Sequence, residues 1–95
     1  MTTETLEFLF EKHSDEYLKF AKVQNKRSNR ADLHAFMLLD SLVSGTEAIV
    51  SSSHHDYFWL SINIHDLAQV VTEEQVIELI RCGVRFDGEG LQMFS

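Results

Sequence analysis

The chain predicts an α+β domain in which N-terminal helices and two short helices of the C-terminal half pack on one face of a small antiparallel sheet made from two β-hairpins. Three observations carry that reading. Apolar residues recur at helical spacing from Leu6 to Val43. Beyond Ser44-Gly45 the period changes, most plainly in the alternating run Tyr57-Phe58-Trp59-Leu60-Ser61-Ile62-Asn63. Two later segments then carry helix-start signals, at Asn63 and at Thr72-Glu73-Glu74-Gln75. With 95 residues, no proline and no visible linker or repeat, residues 1–95 read as one domain.

In the first 26 residues, Leu6, Phe10, His13, Tyr17 and Phe20 form one helical stripe, with Leu9 and Ala21 beside it. Glu4, Glu7, Glu11, Asp15, Lys19, Lys22 and Lys26 lie opposite. Acids lead and bases trail along that face, which complements the helix macrodipole. Ser14 followed by Asp15 and Glu16 also has the form of an N-cap with an acidic first turn, so the segment is one helix kinked near Ser14 or two short ones. Asn25 to Arg30 is a polar turn. A second helix begins near Asp32, capped by Asn29 or by Asp32 itself. Its Leu33, Phe36, Met37, Leu38, Leu39, Leu42 and Val43 leave few polar positions, which predicts a helix buried centrally and ended by Ser44-Gly45.

The first hairpin joins Ala48–Ser52 to Tyr57–Asn63 around the polar turn His54-His55-Asp56. Phe58, Leu60 and Ile62 fall on one face, and Tyr57, Trp59, Ser61 and Asn63 on the other. Asn63 caps a short helix running through Val71, and the capping box at Thr72 opens another. That last helix buries Val76, Leu79 and Ile80, turns Glu74, Glu78 and Arg81 to water, and stops at Gly83. Val84-Arg85-Phe86 and Leu91-Gln92-Met93-Phe94 form the second hairpin around Asp87-Gly88-Glu89-Gly90. Two isolated hairpins are marginal, so they join into one sheet.

Charge narrows the function classes. The net charge is −7, which argues against direct nucleic-acid binding or attachment to an anionic membrane, because both rely on clustered Lys and Arg. The distribution is segregated. Lys19, Lys22, Lys26, Arg27 and Arg30 stand together without an acid, whereas Ala31 to Ile80 contains eight acids and neither Lys nor Arg. The longest apolar run, Ala35 to Leu39, is too short to span a membrane, and the start has no secretory pattern, so a cytoplasmic location is expected.

Catalytic and metal-binding patterns are weak. Ser51-Ser52-Ser53-His54-His55-Asp56 holds the residue types of a nucleophilic triad, but neighbours in a turn point apart, whereas a triad converges from separate elements. The same His54-His55-Asp56 cluster contains metal-ligand types without a His-x-x-x-His or Glu-x-x-His pair. His13 reads as a hydrogen-bonded core histidine. Cys82, the only cysteine, precludes an internal disulfide and reads as a buried structural thiol at the carbonyl end of a helix. No phosphate-binding glycine motif occurs, Asp87-Gly88-Glu89-Gly90 lacks calcium-loop spacing, and no cofactor or enzymatic activity is expected.

Two surface features remain. If helices cover only one side of the sheet, Tyr57 and Trp59 stand exposed, and these are residue types enriched at binding hot spots; if both faces are packed, they lie under the N-terminal helix. The acid surface, with Asp56, Glu73, Glu74 and Glu78, is suited to steering onto a basic partner, in the manner of a mimic of nucleic-acid phosphates. Val76–Asp87 with Leu91–Phe94, together with Asp32–Asp40, resembles small uncharacterised proteins of tailed bacteriophages. The resemblance supplies no site residue; it implies a class of small acidic proteins that bind and block or redirect host machinery.

The expected function is therefore an interaction module that binds a larger host protein with a basic surface through Tyr57, Trp59, Asp56, Glu73, Glu74 and Glu78. Self-association into a homodimer through the strand face or edge is a corollary. The alternative is a small-ligand protein holding a nucleotide signal between subunits, with Lys19 to Arg30 on phosphate and Tyr57 or Trp59 stacked on the base.

Overall fold

Strand pairing joins the two expected hairpins. Val50–His54 (β1) pairs antiparallel with Tyr57–Leu60 (β2), and Val84–Asp87 (β3) with Gly90–Phe94 (β4). Pairing of β2 with β4 closes the sheet in the order β1-β2-β4-β3. The computed structural model describes residues 1–46, 48–54, 56–88 and 90–94, with His54 described by its backbone alone. Glu47, His55 and Glu89, which belong to the expected acid surface and the two turns, lie outside the described residues.

The register sorts side chains onto two faces, because successive residues of a strand point oppositely. Phe58 lies opposite Met93, Met93 opposite Val84, and Leu91 opposite Phe86. Val84, Leu91 and Met93 are fully buried, so this is the inner face. Helices Thr3–Lys12 (α1), Ala31–Leu42 (α2), Ile64–Val70 (α3) and Glu73–Arg81 (α4) supply the other side of the core through Leu6, Leu9, Phe10, Leu38, Leu39, Leu67, Val76, Leu79 and Ile80. Phe10 packs on Phe86 and Phe36 on Phe58, both across this interface. The α+β architecture expected of the sequence is the one observed.

Local signals decide the ends of α3 and α4. The Asn63 side chain accepts from the Asp66 N–H at 3.1 Å. Thr72 and Gln75 form a reciprocal capping box, with Thr72 N–H donating to Gln75 Oε1 at 2.9 Å and Gln75 N–H to Thr72 Oγ1 at 3.2 Å. Gly83, at φ 98°, takes the left-handed position that ends α4, and Leu18 Cδ2 lies only 2.8 Å from where a Cβ would stand.

Three expectations need correction. No second α-helix follows Ser14. The chain instead makes two short 3-10 turns, Ser14–Glu16 and Phe20–Lys22, separated by Leu18 at φ 63°. Tertiary bonds account for this: Leu18 N–H donates to Ile80 O, and Arg81 Nε donates to Glu16 Oε2 at 3.1 Å, so the segment is fastened to α4 rather than to its own helical ladder. Neither Asn29 nor Asp32 caps α2. Arg30 occupies the cap without a side-chain bond, while the Asp32 carboxylate accepts from the Leu33 N–H. Finally, α2 is not buried on all sides, because Leu33 and Met37 are each 40% exposed along its outer edge.

Candidate functional site

The outer face of the sheet is built by the alternate residues of the same strands. Tyr57 lies opposite Phe94, and Trp59 opposite Gln92, which in turn lies opposite Arg85; Ser52 flanks Trp59 from β1. The helices sit behind the inner face, and neither Tyr57 nor Trp59 belongs to the core. Both are half-buried. The Arg85 guanidinium lies 4.0 Å from the centre of the Tyr57 ring, and Phe94 meets that ring edge-on at 6.0 Å. Arg85 Nε donates to Gln92 Oε1 at 2.9 Å, which satisfies a glutamine only 7% exposed. These contacts fix the rotamers of Tyr57 and Arg85 before any partner arrives, and a cation over an aromatic face is itself favourable.

The apolar character continues past the strand end. Phe94 is 42% exposed and Leu18 49%, and both approach Gly83. On the other side of Trp59, a shallow groove of about 300 Å³ runs between Ser51, Ser52, Leu60 and Gly90. Beside it, β1 forms one edge of the sheet. A bulge between Val50 and Ser52 interrupts its pairing, a device that discourages indiscriminate strand addition.

The expected carboxylates do not all share this surface. Asp56 is exposed in the β1–β2 turn, next to Tyr57 in sequence. Glu73, Glu74 and Glu78 lie on α4, in the helix layer. Glu73 contacts His13 Nε2 at 2.7 Å and Lys12 Nζ at 3.6 Å, and the His13 hydrogen bond followed by the Lys12 charge holds its carboxyl below the ordinary 4.5. Glu78 accepts from the buried His34 at 2.8 Å. Glu74 is exposed and forms no ion pair among the described residues. The structure thus brings Tyr57 and Trp59 together, leaves Asp56 at one end of their face, and places the three glutamates elsewhere.

The basic segment is partly committed as well. Lys26 Nζ donates to Val23 O at 2.9 Å and lies 5.2 Å from the Phe20 ring centre. His13, expected in the core, is instead half-buried at the helix surface on Glu73. Cys82 is 2% exposed, and burial together with the nearby Glu78 charge pushes its thiol up to about 12. In the His54-His55-Asp56 turn the two imidazoles lie outside the described side chains; among the described residues no cluster has the makings of a metal site.

Sequence reasoning missed Arg85, Phe94 and Leu18 as parts of this surface. The period of two in β3 and β4 places Arg85, Gln92 and Phe94 on one side. What it lacks is the β2–β4 pairing that sets them beside Tyr57 and Trp59. No family model, curated protein or solved structure matches this chain.

Proposed function

We propose that this protein is a non-enzymatic interaction module, of the kind in which small acidic proteins of tailed bacteriophages bind a host protein and block or redirect it, and that its contact surface is the outer face of the sheet. The observation that carries the reading is the position of Tyr57 and Trp59 on the sheet face opposite the helices, with Tyr57 braced between Arg85 and Phe94. Rigid aromatics beside an arginine are the composition of interface hot spots, and their ordering cost is met within the free protein. Of the acids, Asp56 adjoins the contact face, while Glu74 and the net charge of −7 act at longer range by steering a basic partner.

The test is affinity capture from a bacterial host lysate by the full chain, by a Tyr57→Ala, Trp59→Ala double variant, and by Glu74→Ala. Loss of two hot spots weakens binding by about 30-fold or more. The expected result is one protein retained by the parent and by Glu74→Ala and lost by the double variant, with circular dichroism unchanged. Equal capture by all three chains contradicts the proposal. Raising salt is expected to slow association, as the Debye length falls from about 10 Å at 0.1 M to about 3 Å at 1 M.

A further inference from the structure

A cavity of about 220 Å³ opens where α1 and the first 3-10 turn meet β3, lined by Phe10, Ser14, Tyr17, Ile80, Val84 and Arg85. Phe10, Ile80 and Val84 are core residues, so part of the wall is apolar and rigid. The rest of the wall comes from Ser14, Tyr17 and Arg85, residues that carry hydrogen-bond donors. The Tyr17 hydroxyl is buried and has no hydrogen-bond partner among the described residues. Native proteins seldom leave such a group unsatisfied without a reason. Burial, then the nearby Tyr57, raises its ionisation above the ordinary value against the opposing pull of Arg85, so it remains a donor at neutral pH. Arg85 spends Nε on Gln92 and its ring-facing side on Tyr57, while its terminal nitrogens make no hydrogen bond or ion pair among the described residues.

We propose that this cavity binds a monocarboxylate carried on a compact apolar group, with the carboxylate received by Arg85 and the Tyr17 hydroxyl and the apolar part set against Phe10, Ile80 and Val84. Donors without a facing acceptor call for an anion or carbonyl, and a guanidinium favours the carboxylate. The volume lies below the roughly 300–1,000 Å³ of sites for drug-sized ligands, so the guest is about the size of one amino-acid residue. An adjoining cavity shares Phe10, Ser14 and Arg85 and adds Glu7 and Glu11. Those two carboxylates repel any anion on their side, so the one tolerated charge faces Arg85 and Tyr17, and dicarboxylates and nucleotides are disfavoured. Two sources share the recognised chemistry: a free aliphatic or aromatic acid, and the apolar C-terminal residue of a polypeptide. The site shares Arg85 with the partner surface proposed above but requires Tyr17 rather than Tyr57 and Trp59, so Tyr17→Phe tests it separately from that surface.

Nuclear magnetic resonance titration of the full chain tests the site, with 3-phenylpropionate and N-acetyl-Gly-Phe as acids and their amides as neutral controls. Saturable shifts of the Phe10, Tyr17 and Arg85 backbone signals are expected for at least one acid, with its amide at least tenfold weaker. Tighter binding of the peptide acid identifies a polypeptide C-terminus as the guest, and binding of the free acid alone identifies a small molecule; either supports the site. Tyr17→Phe, which removes only the hydroxyl, and Arg85→Gln are each expected to weaken the acid at least tenfold while the signal dispersion of the folded chain is kept. Absence of saturation by both acids at about 10 mM, a range that still detects millimolar sites, overturns the proposal. So does equal binding of acid and amide, or binding unchanged by Tyr17→Phe.

Discussion

His34 ties α2 to the turn that precedes it and to the distant α4. It is 1% exposed, its Nδ1 accepts from the Arg27 N–H at 3.0 Å, its Nε2 reaches Glu78 at 2.8 Å, and its ring meets Phe20 edge-on. Because Nδ1 is an acceptor, the proton of the neutral ring sits on Nε2 and is donated to Glu78. His34→Ala leaves the Arg27 N–H and the Glu78 carboxylate without this partner and opens a cavity, so urea denaturation is expected to register a loss of about 2–4 kcal/mol. Nothing in the residue pattern around His34 distinguishes it from an exposed histidine on an apolar helix, since both of its partners come from elsewhere. Tyr17 makes the opposite case. Its hydroxyl is buried without a bond among the described residues, so Tyr17→Phe is expected to stabilise the free protein by about 1 kcal/mol in the same assay, even as it impairs the cavity.

At the level of elements, what is encoded locally was legible and what is decided at a distance was not. Asn63 and the Thr72–Gln75 box announce α3 and α4 because a cap uses residues within one turn of the helix start. Thr72→Ala breaks the box and is expected to cost about 1 kcal/mol in thermal or urea unfolding. Residues 14–22 have a helical pattern yet form 3-10 turns, because Leu18 and Glu16 bond to α4. The faces of β3 and β4 were readable from their alternation, but their register against β2 was not. Ion pairs centred on two carboxyls clamp the N-terminal third to α4, and each carboxyl is held below its ordinary 4.5: Glu16 by the Arg81 bond, and Glu73 by His13 then Lys12. A carboxyl whose folded value is depressed contributes stability that is complete above the unfolded value and is lost as pH falls. The urea midpoint is therefore expected to drop as pH falls below about 5, and to drop less steeply in a Glu16→Gln, Glu73→Gln double variant.

The whole molecule divides into a closed side and an open one. Helices cover the inner face of the sheet with the buried Val84, Leu91 and Met93, whereas the outer face presents Tyr57, Trp59, Arg85 and Phe94. The segregated charge of the sequence acquires a geometry from this division: Glu73 and Glu78 are turned to internal pairing, Asp56 stands exposed at one end of the outer face, and Arg85 lies within that face. The aromatic pair was legible as a candidate because alternation opposes it to Phe58 and Leu60; which layer covers it depends on how the whole chain folds. The proposed partner docks on this outer face. The direct measurement is quantitative capture from host lysate with matched chains: the Tyr57→Ala, Trp59→Ala variant is expected to lose the retained protein at least tenfold while Glu74→Ala keeps it, and retention undiminished in the double variant would contradict the account.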